Sequence, residues 1–525
     1  MNMKKVCLII IDGFGVAPPG PGNARTLADM PTLKKMEEIT PNCLMDAAEN
    51  AVGLPKGQQG ASEPGHMTIG AGRVVWQPLE EINRAIQSGE FFKNEVLIGA
   101  CDRSKTKDVP LHFMGIYSTG NVHGSTEHWH AMLKLAKDRG VKRVLLHLFS
   151  DGRDVPEQHF CVDFDLLKAE ISKQSLGTLA SLIGRWFAMD RDLRFDTRTK
   201  ITYELLTQGK GKLRDDFCEG VKAWYAEAPR SEKTDLYIRP LVTSHYQPMR
   251  AEDVVVVINF RKDRMLQIVS ALADETFDTF KRPVRISDVV CMGPYSEHLP
   301  IAFPPTSAVN SLGEVVSNAG KKQVRISETE KYVHVTYFFN QQRMDPFPGE
   351  EHIHVRTPDV PNMADAPDMA ANEVCDAVIR VAKKGDKDLI IVNFANPDVV
   401  GHGGRIDAAV EACEAVDRNL RKLLPVLQEE GYDWIITADH GNAEEMYYPG
   451  TEKICPSHTT NKVQTFVHSP MITSSDQLKE MIGLCQGSPL RPTGSEGQAG
   501  RQAGLKDIAP LVLRIMGIPV PVEMR

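Results

Sequence analysis

Five apolar runs along the chain each end in a polar, chemically capable group. Val6–Ile11 runs into Asp12 and Gly13, Val144–Phe149 into Ser150-Asp151-Gly152-Arg153-Asp154, and Val254–Ile258 into Asn259-Phe260-Arg261. Leu389–Val392 runs into Asn393 and then Asp398, and Trp434–Thr437 into Ala438-Asp439-His440-Gly441. Runs of this length without polar alternation predict strands buried on both faces, as in parallel sheets covered by helices. Open α/β sheets of this kind gather functional groups at the carboxyl ends of their strands. Helical spacing lies between the runs. Ile406, Ala409, Val410, Cys413, Val416, Leu420 and Leu424 recur at three- and four-residue steps, with Gly431 as a stop and Pro425 expected to kink or end the helix early. Asp507 is placed to cap a last helix through Ile508, Leu511, Val512 and Ile515, closed by Gly517. Residues 487–504, rich in Gly, Ser and Pro, read as a surface loop.

Composition changes this picture only at its edges. The 525 residues are 42% hydrophobic and 25% charged, which suits folded domains and leaves room for more than one core. A net charge of −8 removes any global attraction to nucleic acid or an anionic membrane, so an anionic ligand must meet a local arginine cluster. Ten cysteines with no C-x-x-C spacing read as reduced, buried thiols rather than a disulfide framework. No apolar run approaches membrane-spanning length, and the first is too short for a secretion signal, so a cytoplasmic location is expected.

Three clusters carry candidate chemistry. Between Leu54 and Arg73, five glycines surround Ser62, in a stretch that reads as too broken for a long helix and suited to close ligand approach. Serine becomes nucleophilic only beside a base or a metal. Asp12, Asp398, His402, Asp439, His440 and His458 all fall at strand ends or in loops, and a tight turn is expected from Asp398 to His402. Each alone is an ordinary cap or turn residue. Together, three carboxylates and three imidazoles suit a two-metal site with a Mn²⁺-, Zn²⁺- or Fe²⁺-type ligand set. The third cluster is basic: Arg153, Arg185, Arg191, Arg261, Arg264 and Lys331, joined by His123 in a glycine-flanked loop. Guanidinium forks match phosphate and carboxylate oxygens, which fits a small, doubly anionic substrate. The metal-type residues occupy both ends of the chain and most of the arginines its middle. A domain inserted into another is therefore expected, with crossings near Gln77 and Pro304-Pro305.

The motifs IDGFG, SEPGHMTIGAGRVVWQ, GNVHGSTEH, DGRDVPE, GRWFAMDRD, TEKYVHVTYFFN, NPDVVGHGG, ADHGNAEEM and SHTTN occur in one order along the chain. In this it resembles the cofactor-independent phosphoglycerate mutases of the alkaline phosphatase superfamily. The resemblance implies an α/β protein with a discontinuous, alkaline-phosphatase-like metal domain (1–76 and 307–525) and an inserted phosphotransferase domain (77–306). It implies a monomer that interconverts 2- and 3-phosphoglycerate through a phosphoserine, without free 2,3-bisphosphoglycerate. Ser62 would be the nucleophile. Asp398, His402 and His458 would hold one divalent ion, and Asp12, Ser62, Asp439 and His440 the other, most often Mn²⁺, in some members Mg²⁺ or Co²⁺. His123, Arg153, Asp154, Arg185, Arg191, Arg261, Arg264 and Lys331 would bind substrate, with Asp154 as a base and Lys331 offsetting phosphoryl charge. Two departures flank the nucleophile: Ala61 where many members carry Asn, and Pro64, expected to stiffen the loop. The rival readings are a phosphatase or phosphopentomutase of the same superfamily, and a non-catalytic phospho-acid binding protein.

Overall fold

The computed structural model describes residues 4–304, 309–448, 450–451, 453–483 and 502–525. The chain divides into two units, Met1–Gln77 with Thr306–Arg525, and Pro78–Pro305. Each is built on one seven-stranded sheet. All five apolar runs are strands, and every residue of Val144–Ser150, Val254–Val257, Leu389–Phe394 and Tyr432–Thr437 is buried.

In the discontinuous unit the strand order is Glu350–Val355, Gln323–Glu328, Leu389–Phe394, Lys5–Ile11, Tyr432–Thr437, Val463–His468, Asn42–Met45. The first five run parallel and the last two pair antiparallel. Val6 pairs with Leu389 on one side and with Asp433 on the other, so the first strand lies inside the sheet. Burying each Ile, Leu or Val of such a strand is worth about 1.5–3 kcal/mol, which explains its unbroken apolar run. In the continuous unit the order is Lys212–Leu213, Leu241–Val242, Thr178–Gly184, Val144–Ser150, Leu111–Ile116, Val254–Val257, Asp288–Cys291. Only the pairing of Thr178–Gly184 with Leu241–Val242 is antiparallel there. Among the described residues no helix is long and apolar enough to cross a membrane.

The structure departs from the sequence reading at several places. Ser62–Ala71 is a ten-residue α-helix, not a broken loop. Its glycines serve contact rather than left-handed backbone: a Cβ at Gly65 would come within 2.6 Å of the Asp439 carbonyl oxygen, and one at Gly70 would overlap the Phe339 carbonyl oxygen. Asn396–Gly401 is likewise a short helix that carries Asp398 and leads into His402. Helix Ile406–Glu429 runs on through Pro425, where buried Leu423, Leu424 and Leu427 offset the missing backbone bond. Helix Ile508–Met516 does end at a left-handed Gly517. Asp507, however, accepts from the Gly504 amide instead of capping that helix with its side chain. Cys161 and Cys218 form a disulfide between two helices of the continuous unit, with Cα atoms 5.6 Å apart. A separation of 57 residues hides that pairing from the sequence. The loop expected at 487–504 lies, up to residue 501, outside the described residues.

Candidate active site

The carboxyl edge of the discontinuous sheet collects one group of side chains. Asp12 follows the strand Lys5–Ile11, Asp439 and His440 follow Tyr432–Thr437, and Lys331 sits on a short helix directly after Gln323–Glu328. Asp12, Ser62, Asp398, Asp439 and His440 are buried. Ser62 Oγ lies 2.9 Å from His440 Nε2 and 3.3 Å from Asp12 Oδ1. Asp398 Oδ1 lies 3.2 Å from His458 Nε2 and 3.4 Å from His402 Nε2. Two triads result, Asp398–His402–His458 and Asp12–Asp439–His440, each with ligand atoms within 4.8 Å of one another.

Lys331 belongs to this group rather than to the arginines with which its charge placed it. Its ammonium donates to Asp12 Oδ1 at 2.7 Å, Ser62 Oγ at 2.7 Å and Asp398 Oδ2 at 2.6 Å. Burial would lower its pKa, but Asp12 and Asp398 push it well above the usual lysine range. Burial would raise both aspartates, and Lys331 overrides this and holds them well below the usual carboxylate range. Burial likewise opposes charge on His440, yet Asp439, Asp12 and Asp398 raise it to about 10. His402 is raised by its hydrogen bond to Asp398. These groups fit divalent cations. The donors are mixed carboxylate and imidazole, the buried charge is negative, and Asp439 Oδ2 is buried without a hydrogen-bond partner among the described residues.

Ser62 is the first residue of its helix, and Ala61 before it is extended with no side-chain cap. The free N–H groups and dipole at that end favour an anion on Ser62. Pro64 lies in the first helical turn, where a missing N–H sacrifices no helical bond. The Ala and Pro beside the nucleophile are thus compatible with its position.

The continuous unit collects the arginines at its own strand ends. Arg185 follows Thr178–Gly184, is buried, and pairs with Asp151 Oδ1 at 2.6 Å and Asp154 Oδ2 at 2.5 Å. His123 Nε2 lies 3.7 Å from Asp154 Oδ2. Burial, then Arg185 and Arg261, push its imidazole down to about 4, so it is neutral at neutral pH. Arg153, Arg185, Arg191 and Arg264 line a cavity of about 160 Å³ with Trp186 and Met189. Arg191 and Arg261 are half exposed and pair with opposite oxygens of Asp263 at 3.1 and 2.9 Å. Sequence reasoning missed Asp151 and Asp263, the carboxylates that order these arginines, although both stand inside the motifs DGRD and NFRKDR.

A family profile described as "BPG-independent PGAM N-terminus" matches residues 82–297, and one described as "Type I phosphodiesterase / nucleotide pyrophosphatase" matches residues 303–464. A 2,3-bisphosphoglycerate-independent phosphoglycerate mutase of Moorella thermoacetica is 40% identical, over 99% of this chain and 97% of its own length. The chain belongs to the 2,3-bisphosphoglycerate-independent phosphoglycerate mutase family. A like-named protein of Clostridium novyi is 40% identical over 100% of this chain and 99% of its own. Among solved structures, a Leishmania mexicana phosphoglycerate mutase studied at low cobalt concentration matches with a TM-score of 0.58 and 27% identity, covering 100% of this chain and 97% of that one. The protein is therefore an enzyme, an isomerase built on an alkaline-phosphatase-like fold with an inserted second domain. Divalent metal binding fits the family and the two triads alike.

Proposed function

We propose that the enzyme interconverts 2- and 3-phosphoglycerate by parking the phosphoryl group on Ser62. Ser62 Oγ attacks phosphorus and gives up its hydroxyl proton, an O–P bond forms to the serine, the P–O bond to the glycerate oxygen breaks, and that oxygen takes up a proton to leave as a hydroxyl. The glycerate stays bound and turns, and its other hydroxyl attacks the phosphoserine in line, regenerating Ser62. The observation that carries this reading is Ser62 itself, buried at a helix N-terminus 2.7 Å from the Lys331 ammonium. Lys331 neutralises charge on the transferring phosphoryl oxygens. Two divalent ions, one at Asp398, His402 and His458 and one at Asp12, Ser62, Asp439 and His440, would lower the pKa of the serine hydroxyl and offset phosphoryl charge. The mixed donor set suits Mn²⁺, Zn²⁺ or Fe²⁺, and among these Mn²⁺ is the ion that the family resemblance implies. His123, Arg153, Arg185, Arg191, Arg261 and Arg264 grip the anionic substrate, and Asp154, within reach of His123 and Arg185, takes the proton of the attacking hydroxyl. One chain supplies every residue in this scheme, which agrees with the monomer that the family resemblance implies.

Ser62→Ala tests the route. Mutase turnover should fall by about 10⁴-fold or more, as for a lost nucleophile, while the variant keeps its circular dichroism. Incubation of the wild type with labelled 3-phosphoglycerate should leave label on Ser62 after acid quench. A variant that kept substantial turnover, or a wild type that never carried label, would defeat the phosphoserine route.

A further inference from the structure

Two fully buried side chains with no part in the scheme above, His66 and Asn393, lie directly behind the carboxylates. Asn393 Nδ2 is 2.7 Å from Asp12 Oδ2 and 3.1 Å from His66 Nε2. An ionised carboxylate only accepts, so the amide atom facing Asp12 is the NH₂ group. That same nitrogen donates to His66, whose Nε2 must then hold a lone pair. The single imidazole proton therefore sits on Nδ1. Nδ1 lies 2.9 Å from the Ser62 carbonyl oxygen, to which it donates, and 3.2 Å from Asp439 Oδ2. Both ring nitrogens are engaged, which leaves His66 no atom with which to ligate a metal.

The result is an ordered division of carboxylate oxygens. Asp12 Oδ2 is held from behind by Asn393, while Oδ1 faces Ser62 and Lys331. Asp439 Oδ1 is held by the Gly13 and His440 amides at 3.2 and 3.1 Å, while Oδ2 has no hydrogen bond among the described residues. We propose that His66 and Asn393 are positioning residues. As one relay they present Asp12 through a single oxygen and fix the first turn of helix Ser62–Ala71, so that Asp12 and Ser62 meet the same ion. This rests on the two-ion reading of the preceding subsection.

The experiment compares His66→Leu, His66→Asn, Asn393→Leu and Asp12→Ala with the wild type. It measures Mn²⁺ stoichiometry and affinity by calorimetry and elemental analysis, together with kcat and KM. Leucine at either position should weaken one of the two ions by about 10–100-fold, the usual effect of losing an outer partner, and leave the other ion unchanged. kcat should fall, with KM for 3-phosphoglycerate within about twofold, because the arginine set is intact. His66→Asn, which restores a donor near the Nδ1 position, should recover part of the lost affinity. A readout that needs no variant to fold is the ¹⁵N spectrum of histidine-labelled, Mg²⁺-loaded wild type, where His66 should be protonated on Nδ1 alone. An Nε2-protonated His66, or two ions at wild-type affinity in both leucine variants while Asp12→Ala loses one, would overturn this inference alone. Two ions retained in Asp12→Ala would overturn the two-ion reading and this inference with it.

Discussion

Lys331 is the residue on which the charge balance of the site turns. Among the described residues it is the one ammonium in contact with Asp12, Asp398 and Ser62. Lys331→Met should therefore cost the metal-free protein about 3–5 kcal/mol, the usual result of leaving buried charge without its partner. Mn²⁺ should return much of that loss, since cations then meet the same carboxylates. Urea denaturation of both variants with and without Mn²⁺ reads this directly, and equal losses in the two states would contradict it. His440 sets a pH dependence of the opposite character. Its folded pKa, raised to about 10, exceeds the ordinary histidine value of about 6.5, so its charge stabilises the metal-free fold below that value. That contribution fades as pH rises toward about 10. Metal ligation needs the neutral ring. Mn²⁺ uptake near pH 7 should thus release protons and tighten as pH rises, seen by calorimetry in buffers of different ionisation enthalpy. An affinity flat between about pH 6.5 and 8 would count against it. At this scale the candidate metal-type and basic residues could be picked out because each stands in a short distinctive segment, whereas Asp151 and Asp263, in segments of the same kind, were passed over. His66 stands inside one of those segments and Asn393 at the end of an apolar run, yet only geometry shows which atoms they face.

The element that most resisted sequence reading is helix Ser62–Ala71. Glycine and proline lower helix propensity, so a stretch with three glycines within or next to ten residues reads as a loop. What the helix needs instead is thin sides, at Gly65 toward Asp439 and at Gly70 toward Phe339. Gly70→Ala separates the two accounts. Propensity alone makes it stabilising by about 1 kcal/mol. Overlap with a backbone carbonyl makes it destabilising by about 1–3 kcal/mol, and packing should win because backbone cannot rotate away. The sign of the shift in urea midpoint decides. Elements with a continuous apolar run, such as Leu389–Phe394, were legible because burial on both faces leaves no other pattern. The helix through Pro425 and the Cys161–Cys218 bridge were not, since each depends on neighbours distant in sequence.

For the whole molecule, the insertion was legible from the order of the clusters: metal-type residues at both ends and arginines between. That order has a consequence for biosynthesis. The strand Lys5–Ile11 is bonded on both edges to strands drawn from Leu389–Phe394 and Tyr432–Thr437. A ribosome makes it first and its partners last. The segment Pro78–Pro305 has its whole sheet as soon as it emerges, whereas six apolar residues near the N-terminus wait for residue 437. At roughly 5–20 residues per second, that wait lasts on the order of 20–85 s. A nascent chain arrested near residue 350 should hold a protease-resistant inserted unit behind a cleavable first segment. Protection of the Lys5–Ile11 strand at that length would show that it finds temporary cover, and a chaperone bound to the emerging N-terminus is the form such cover would take.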